Sequence, residues 1–123
     1  MLPSEVRRQL DGEAWLDSLD FGKQVPACVK VFAGPLQESW AEVANSSSGD
    51  RLKLVWDAKD CDTLGIWLTR GGWHGHHHLA LEPTNGAPDS LAVAAGERKR
   101  CGIIAPFAEK KWSVQILLLP ANF

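Results

Sequence analysis

Cysteine is scarce in this chain, and what there is follows no pairing pattern. Cys28, Cys61 and Cys101 are odd in number and scattered, with no CxxC spacing. Neither a disulfide framework nor a cysteine zinc site is indicated. Free, buried thiols are the ordinary reading of such residues. Also lacking is any run that approaches the roughly 18 apolar residues of a membrane span. The opening MLPSEVRRQLDGEAWLDSLD is polar and acidic from the start, unlike a secretory leader. The expectation is a cytoplasmic protein. Excess charge is lacking too. A net charge of −2 gives no global field to recruit nucleic acid or anionic membrane, and neither is expected as a partner. Tyrosine is absent while tryptophan occurs six times. Tryptophan stacks on sugar faces, yet most tryptophans are core residues with the indole N–H satisfied at an edge. No internal repeat and no linker divides the 123 residues, so residues 1–123 are expected to form one domain large enough to bury a core.

Hydropathy patterning is mostly that of strands. Residues 3–20 form a weak helix or an irregular start. Ser4 can cap it, and Val6, Leu10, Trp15 and Leu19 are loosely helical in spacing. Residues 1–21 are thus read as an N-terminal arm or short helix, and 22–123 as a β-sandwich. Gly22 and Pro26 interrupt the chain before CVKVFAG, a short alternating strand that Gly34-Pro35 ends. SWAEVAN places Trp40, Glu42 and Ala44 on one face and Ala41 and Val43 on the other. In RLKLVWDA, Leu52, Leu54 and Trp56 alternate with Arg51, Lys53 and Val55, and the Ser46–Asp50 turn makes the pair a hairpin. LGIWLTR is a strand bounded by Gly71-Gly72, and HHHLALEP is another, ended by Pro83. Thr84 to Asp89 is a loop by composition. SLAVAAG fits a helical turn or a short strand. Arg98-Lys99-Arg100 is a small basic patch, read as a solvated face or turn, although it has the chemistry to attract a sugar phosphate. WSVQILLLP is a strong closing strand. Many short strands between turn signals indicate an all-β, sandwich-like domain.

Residues 64–91 hold the chemistry, because all four histidines and an isolated Glu82 fall there. If residues 74–82 are extended, His74, His76, His78, Ala80 and Glu82 point one way, and His77, Leu79 and Leu81 the other. Leu79 and Leu81 want a core, so the His/Glu face opens to a groove or to solvent. A bulge at Gly75 would upset this assignment. Three readings follow from the residues. Two histidines two apart on a strand can share a zinc ion with an oxygen from Glu82, but no third ligand is defined elsewhere. The histidines can equally be exposed on a strand near a loop, with Glu82 pairing Arg70 or a lysine. The third reading is a polar carbohydrate site with Glu82 as proton acceptor.

The segment LGIWLTRGGWHGHHHLALEPTNGAPDSLAVA resembles the C-terminal part of the aldose 1-epimerase (galactose mutarotase-like) family. The likeness rests on Ile66, Trp67 and Leu68, then Gly71-Gly72-Trp73, then Leu79-Ala80-Leu81-Glu82, then Pro88-Asp89. It covers residues 64–116, including the run from Gly102 to Val114; residues 22–63 match only in general strand pattern. The resemblance implies half of a large β-supersandwich that binds a sugar or sugar derivative. It implies Glu82 as the general base on an anomeric hydroxyl, while a histidine protonates the ring oxygen. Anomer exchange needs one group to take a proton and another to give one across a sugar ring. The family's acid histidine lies in the half this chain does not match, and related sequences commonly carry Arg at the position of His74. His76 or His78 is then the expected donor, with Arg70, Trp73 and His74 lining the site. Asp89 is expected to hold its loop through local backbone hydrogen bonds. No cofactor and no native metal are implied. Family members are more than twice as long, so a homodimer that rebuilds the sandwich, or pairing with a separate chain, is expected to cover apolar surface and strand edges. The alternative from another class is a non-enzymatic interaction or dimerisation protein with a vestigial sugar site.

Overall fold

The computed structural model describes residues 1–9, 27–97 and 99–121. It is mostly β, with two antiparallel sheets of three strands each packed as a sandwich. Strands β1 (Ala27–Ala33), β4 (Thr63–Trp73) and β5 (His76–Thr84) form the first sheet in the order β1-β4-β5. Strands β2 (Trp40–Ala44), β3 (Arg51–Trp56) and β6 (Val114–Leu119) form the second in the order β2-β3-β6. The all-β, sandwich-like class read from the sequence is the class observed.

Alternation explains the layers. Register sets Val31 beside Ile66 and Leu81, and Ala33 beside Leu64. These inward side chains meet Ala41, Leu54 and Trp56 of the second sheet. Leu64 and Ile66 are essentially closed to solvent, and burying such a side chain is worth about 1.5–3 kcal/mol. The Trp56 indole is satisfied at the core edge by donating Nε1–H to the Cys61 carbonyl at 2.9 Å. The β2–β3 hairpin forms as its sequence predicts. Asn45 caps the turn by accepting from the Ser47 and Ser48 amides, and Gly49 supplies the left-handed φ of 78°.

Three local readings change. The β4 strand does not stop at Gly71-Gly72. It continues to Trp73, and the glycines form a bulge between the Arg70–His77 and Trp73–His76 pairs. Thr69 stitches that bulge, because its hydroxyl accepts from the Trp73 amide and donates to the His76 carbonyl. The reversal falls instead on His74-Gly75, both with positive φ (48° and 76°), as a tight hairpin turn requires. Strand β5 also runs one residue past Pro83. It is an edge strand, where a missing backbone N–H is tolerated. Finally, Arg100 is not a solvated patch residue. Its guanidinium donates to the Gly34 carbonyl and the Thr63 hydroxyl, tying the end of β1 to the start of β4. Lys99 is exposed, and Arg98 lies outside the described residues. SLAVAAG becomes a helical turn, with Val93–Glu97 π-helical and Ala94 buried.

The chain's start fastens one edge. A short helix α1 (Ser4–Gln9) places Val6 in the core. The Glu5 carboxylate accepts from the Gln37 and Glu38 amides, and Gln9 Oε1 accepts from the Gly34 amide. Met1 and Glu42 exchange backbone hydrogen bonds, which covers the β2 edge of the second sheet. The expected helical positions Leu10, Trp15 and Leu19 lie outside the described residues. At the opposite edge, β6 pairs with β3 on one side, and among the described residues no strand pairs with its other side. Val114, Ile116 and Leu118 pair with Trp56, Leu54 and Leu52 and so share the core-side face. Yet Ile116 is 63% and Leu118 74% exposed. Among the described residues, no helix is long and apolar enough to cross a membrane.

Candidate functional site

The outer face of the first sheet carries the sequence's chemically distinctive residues. Register sets Phe32, Gly65 and Glu82 in one row across β1, β4 and β5. The next row is Lys30, Trp67 and Ala80, and the next is Cys28, Thr69 and His78. The expected alternation of β5 is therefore observed from His76 onward. His76, His78, Ala80 and Glu82 share the outer face, and Leu79 and Leu81 face the core.

At one end of this face is a charged trio. Lys30 Nζ lies 2.7 Å from Glu82 Oε2 and 2.6 Å from Asp89 Oδ1. Its ammonium also sits 5.4 Å from the centroid of the Phe32 ring, within cation–π range. Partial burial pulls the Lys30 pKa down. The hydrogen bonds Lys30 donates to the Asp89 and Glu82 carboxylates, with their negative charges, outweigh that and raise it above the ordinary lysine value of 10.5. Gly65 makes the bridge possible. It leaves the central strand bare between the Phe32 and Glu82 side chains, and a Cβ there would meet Phe32 at 3.2 Å and Glu82 Oε2 at 3.3 Å.

At the other end is an aromatic cluster. Trp67 contacts Trp73 edge-to-face with ring centroids 5.5 Å apart, and His78 with centroids 4.7 Å apart. Trp73 also meets His74, His76 and His78 at 4.9, 5.6 and 6.0 Å. These are the separations that aromatic pairs prefer. The Trp67 indole donates Nε1–H toward Cys28 Sγ at 3.1 Å, and register sets Trp67 beside Lys30, next to the charged trio. Trp73 is 45% exposed, so part of the cluster faces solvent.

Sequence reasoning named Arg70, Trp73, His74, His76, His78, Glu82 and Asp89. The structure brings Trp73, His74, His76 and His78 together. Glu82 lies farther along the same strand, with Asp89 beside it through Lys30. At about 3.3 Å per residue, the His78 and Glu82 backbones stand about 13 Å apart, and His76 is about 20 Å from Glu82. Arg70 pairs with His77, and strand alternation puts both on the face opposite Glu82. Asp89 holds its loop by a bond to Lys30 on β1, where a local backbone bond had been expected. Among the described residues, no group of three or more His, Cys, Asp or Glu side chains converges on a metal-binding geometry. Lys30, Phe32 and Trp67 were missed. The alternation of CVKVFAG already put Lys30 and Phe32 on one face, but nothing local says that β1 lies across β4 from Glu82.

No protein-family model, curated protein or solved structure matches the chain.

Proposed function

We propose that the outer face of the first sheet binds a carbohydrate, as the resemblance of residues 64–116 to the aldose 1-epimerase family implies. The observation that carries this reading is the juxtaposition of the half-buried Trp67 and the exposed Trp73 rings with a Lys30–Glu82–Asp89 cluster on one sheet face. A pyranose has an apolar C–H face and a rim of hydroxyls. Trp67 and Trp73 offer the first a ring to lie on, as amphipathic aromatics do at sites with one dry and one wet side. The two carboxylates accept hydroxyl hydrogens and the ammonium donates, so the cluster addresses hydroxyl pairs in charge-assisted bonds.

The same arrangement favours binding over fast turnover. Glu82 carries the base role in the family-derived reading, yet its carboxylate is engaged by Lys30 at 2.7 Å. A sugar hydroxyl must displace or share that ammonium before Glu82 takes a proton. His78 is the nearer of the two expected donors to Glu82, and a ring seated over Ala80 would lie between them. A readout that separates the two roles is anomer-exchange NMR on a panel of aldoses and hexose phosphates. Line broadening reports binding, and magnetisation transfer between anomers reports exchange. Binding that weakens in Trp67→Ala supports the site. Exchange above the uncatalysed rate that disappears in Glu82→Gln makes it an epimerase-like isomerase. An absence of both broadening and exchange across the panel overturns the carbohydrate reading and leaves an interaction protein.

A further inference from the structure

We infer that β6 is a self-association edge, through which two copies of the chain join their second sheets into one continuous antiparallel sheet. Strand β6 uses one edge to pair with β3, from Arg51–Leu119 to Trp56–Val114. Among the described residues no strand pairs its other edge, and an unpaired strand edge carries backbone donors and acceptors to be satisfied. Natural edge strands are normally blunted by a charge, a proline or a bulge. The sequence VQILLL has none of these within the strand. Its core-side residues Ile116 and Leu118 are exposed, and so is Leu117 on the other face.

A second copy fits this edge better than an unrelated strand. A twofold axis normal to a sheet places residues of like parity opposite each other, on the same face. Centred on Ile116, it sets Val114 against Leu118 of the second copy, Gln115 against Leu117, and Ile116 against itself. Apolar side chains then meet apolar ones on the core-side face, where cross-strand pairs stabilise a sheet. An uncharged strand can do this without opposing like charges. The dimer is independent of the carbohydrate site, which lies on the other sheet.

The test is sedimentation velocity of the full chain over a concentration series, with folding of each variant checked by circular dichroism. Wild type is expected to sediment as a dimer. Ile116 is mostly exposed in the single chain, so charged replacements there are compatible with the fold. Ile116→Lys and Ile116→Glu should each be folded monomers, because each puts two like charges across the axis. An equimolar mixture of the two should recover a dimer. A wild type that stays monomeric at every concentration overturns the inference and leaves the edge to a different partner. So does a mixture of the Ile116 variants that stays monomeric.

Discussion

Lys30 on β1 reaches over the bare Gly65 of β4 to meet Glu82 on β5 at 2.7 Å. The two residues are separated by one whole strand, about 9.6 Å of sheet. Register sets Lys30 beside Trp67, so its side chain runs diagonally to Glu82, whose carboxylate lies over the bare Gly65. The charged end of the candidate site therefore depends on a glycine as much as on the ions themselves.

Gly65→Val tests that dependence. A β-branched side chain at this position must displace Phe32 or the Glu82 carboxylate, since even a Cβ would stand 3.2–3.4 Å from them. Overpacking of this kind costs about 1–3 kcal/mol. Urea unfolding should show a lower midpoint with an unchanged slope, and sugar binding should be lost. A variant as stable as wild type would mean the two side chains are free to move aside.

Glu82→Gln should affect function much more than stability. The Lys30–Glu82 pair is partly solvated, and such pairs contribute at most about 1 kcal/mol. Thermal unfolding is expected to change little, while sugar affinity or anomer exchange falls. The contrasting variant is Leu64→Ala. It empties a fully buried position in the core and should cost about 2–5 kcal/mol without altering the outer face.

The trio also predicts an alkaline limb of stability. The Lys30 pKa is raised in the folded chain above 10.5. A raised folded pKa gives stability that is fully present below the unfolded value and is lost as pH rises through the folded one. The stability difference between wild type and Lys30→Met should therefore hold steady from neutral pH to near 10.5 and shrink above it. A difference that vanishes between neutrality and pH 10 contradicts the assigned partners.

The thiols should react in order of exposure and ionisation. Burial pushes the Cys61 thiol pKa up, against the pull of the nearby Lys110 charge. Cys28 is exposed. Timed iodoacetamide labelling followed by peptide mass spectrometry should modify Cys28 well before Cys61. The reverse order would place Cys61 outside the core.

Much of the strand pattern was legible because it is local. Leu52, Leu54 and Trp56 alternate with polar neighbours, and the Asn45–Asp50 turn joins them to β2 without help from the rest of the chain. The β5 face was legible for the same reason, since Leu79 and Leu81 must face inward. The Gly71-Gly72 bulge was not. Two glycines read as a turn, and only the pairing of Trp73 with His76 shows that the reversal lies at His74-Gly75. Lys30 stayed hidden because its partners are 52 and 59 positions away in sequence. Long-range strand order, here β1-β4-β5, has no local signal. Arg100 looked like a surface charge for the same reason, because its acceptors on Gly34 and Thr63 are distant in the chain.

The most direct test of the carbohydrate reading is a sugar titration that follows the tryptophan indole N–H signals by NMR. Trp67 and Trp73 stand on the outer face, whereas the Trp56 indole is locked to the Cys61 carbonyl inside the core. Selective, saturable shifts of the Trp67 and Trp73 signals, with Trp56 unmoved, are the predicted result. Signals that stay in place across the sugar panel, or shifts confined to tryptophans on the second sheet, would contradict a carbohydrate site on this face.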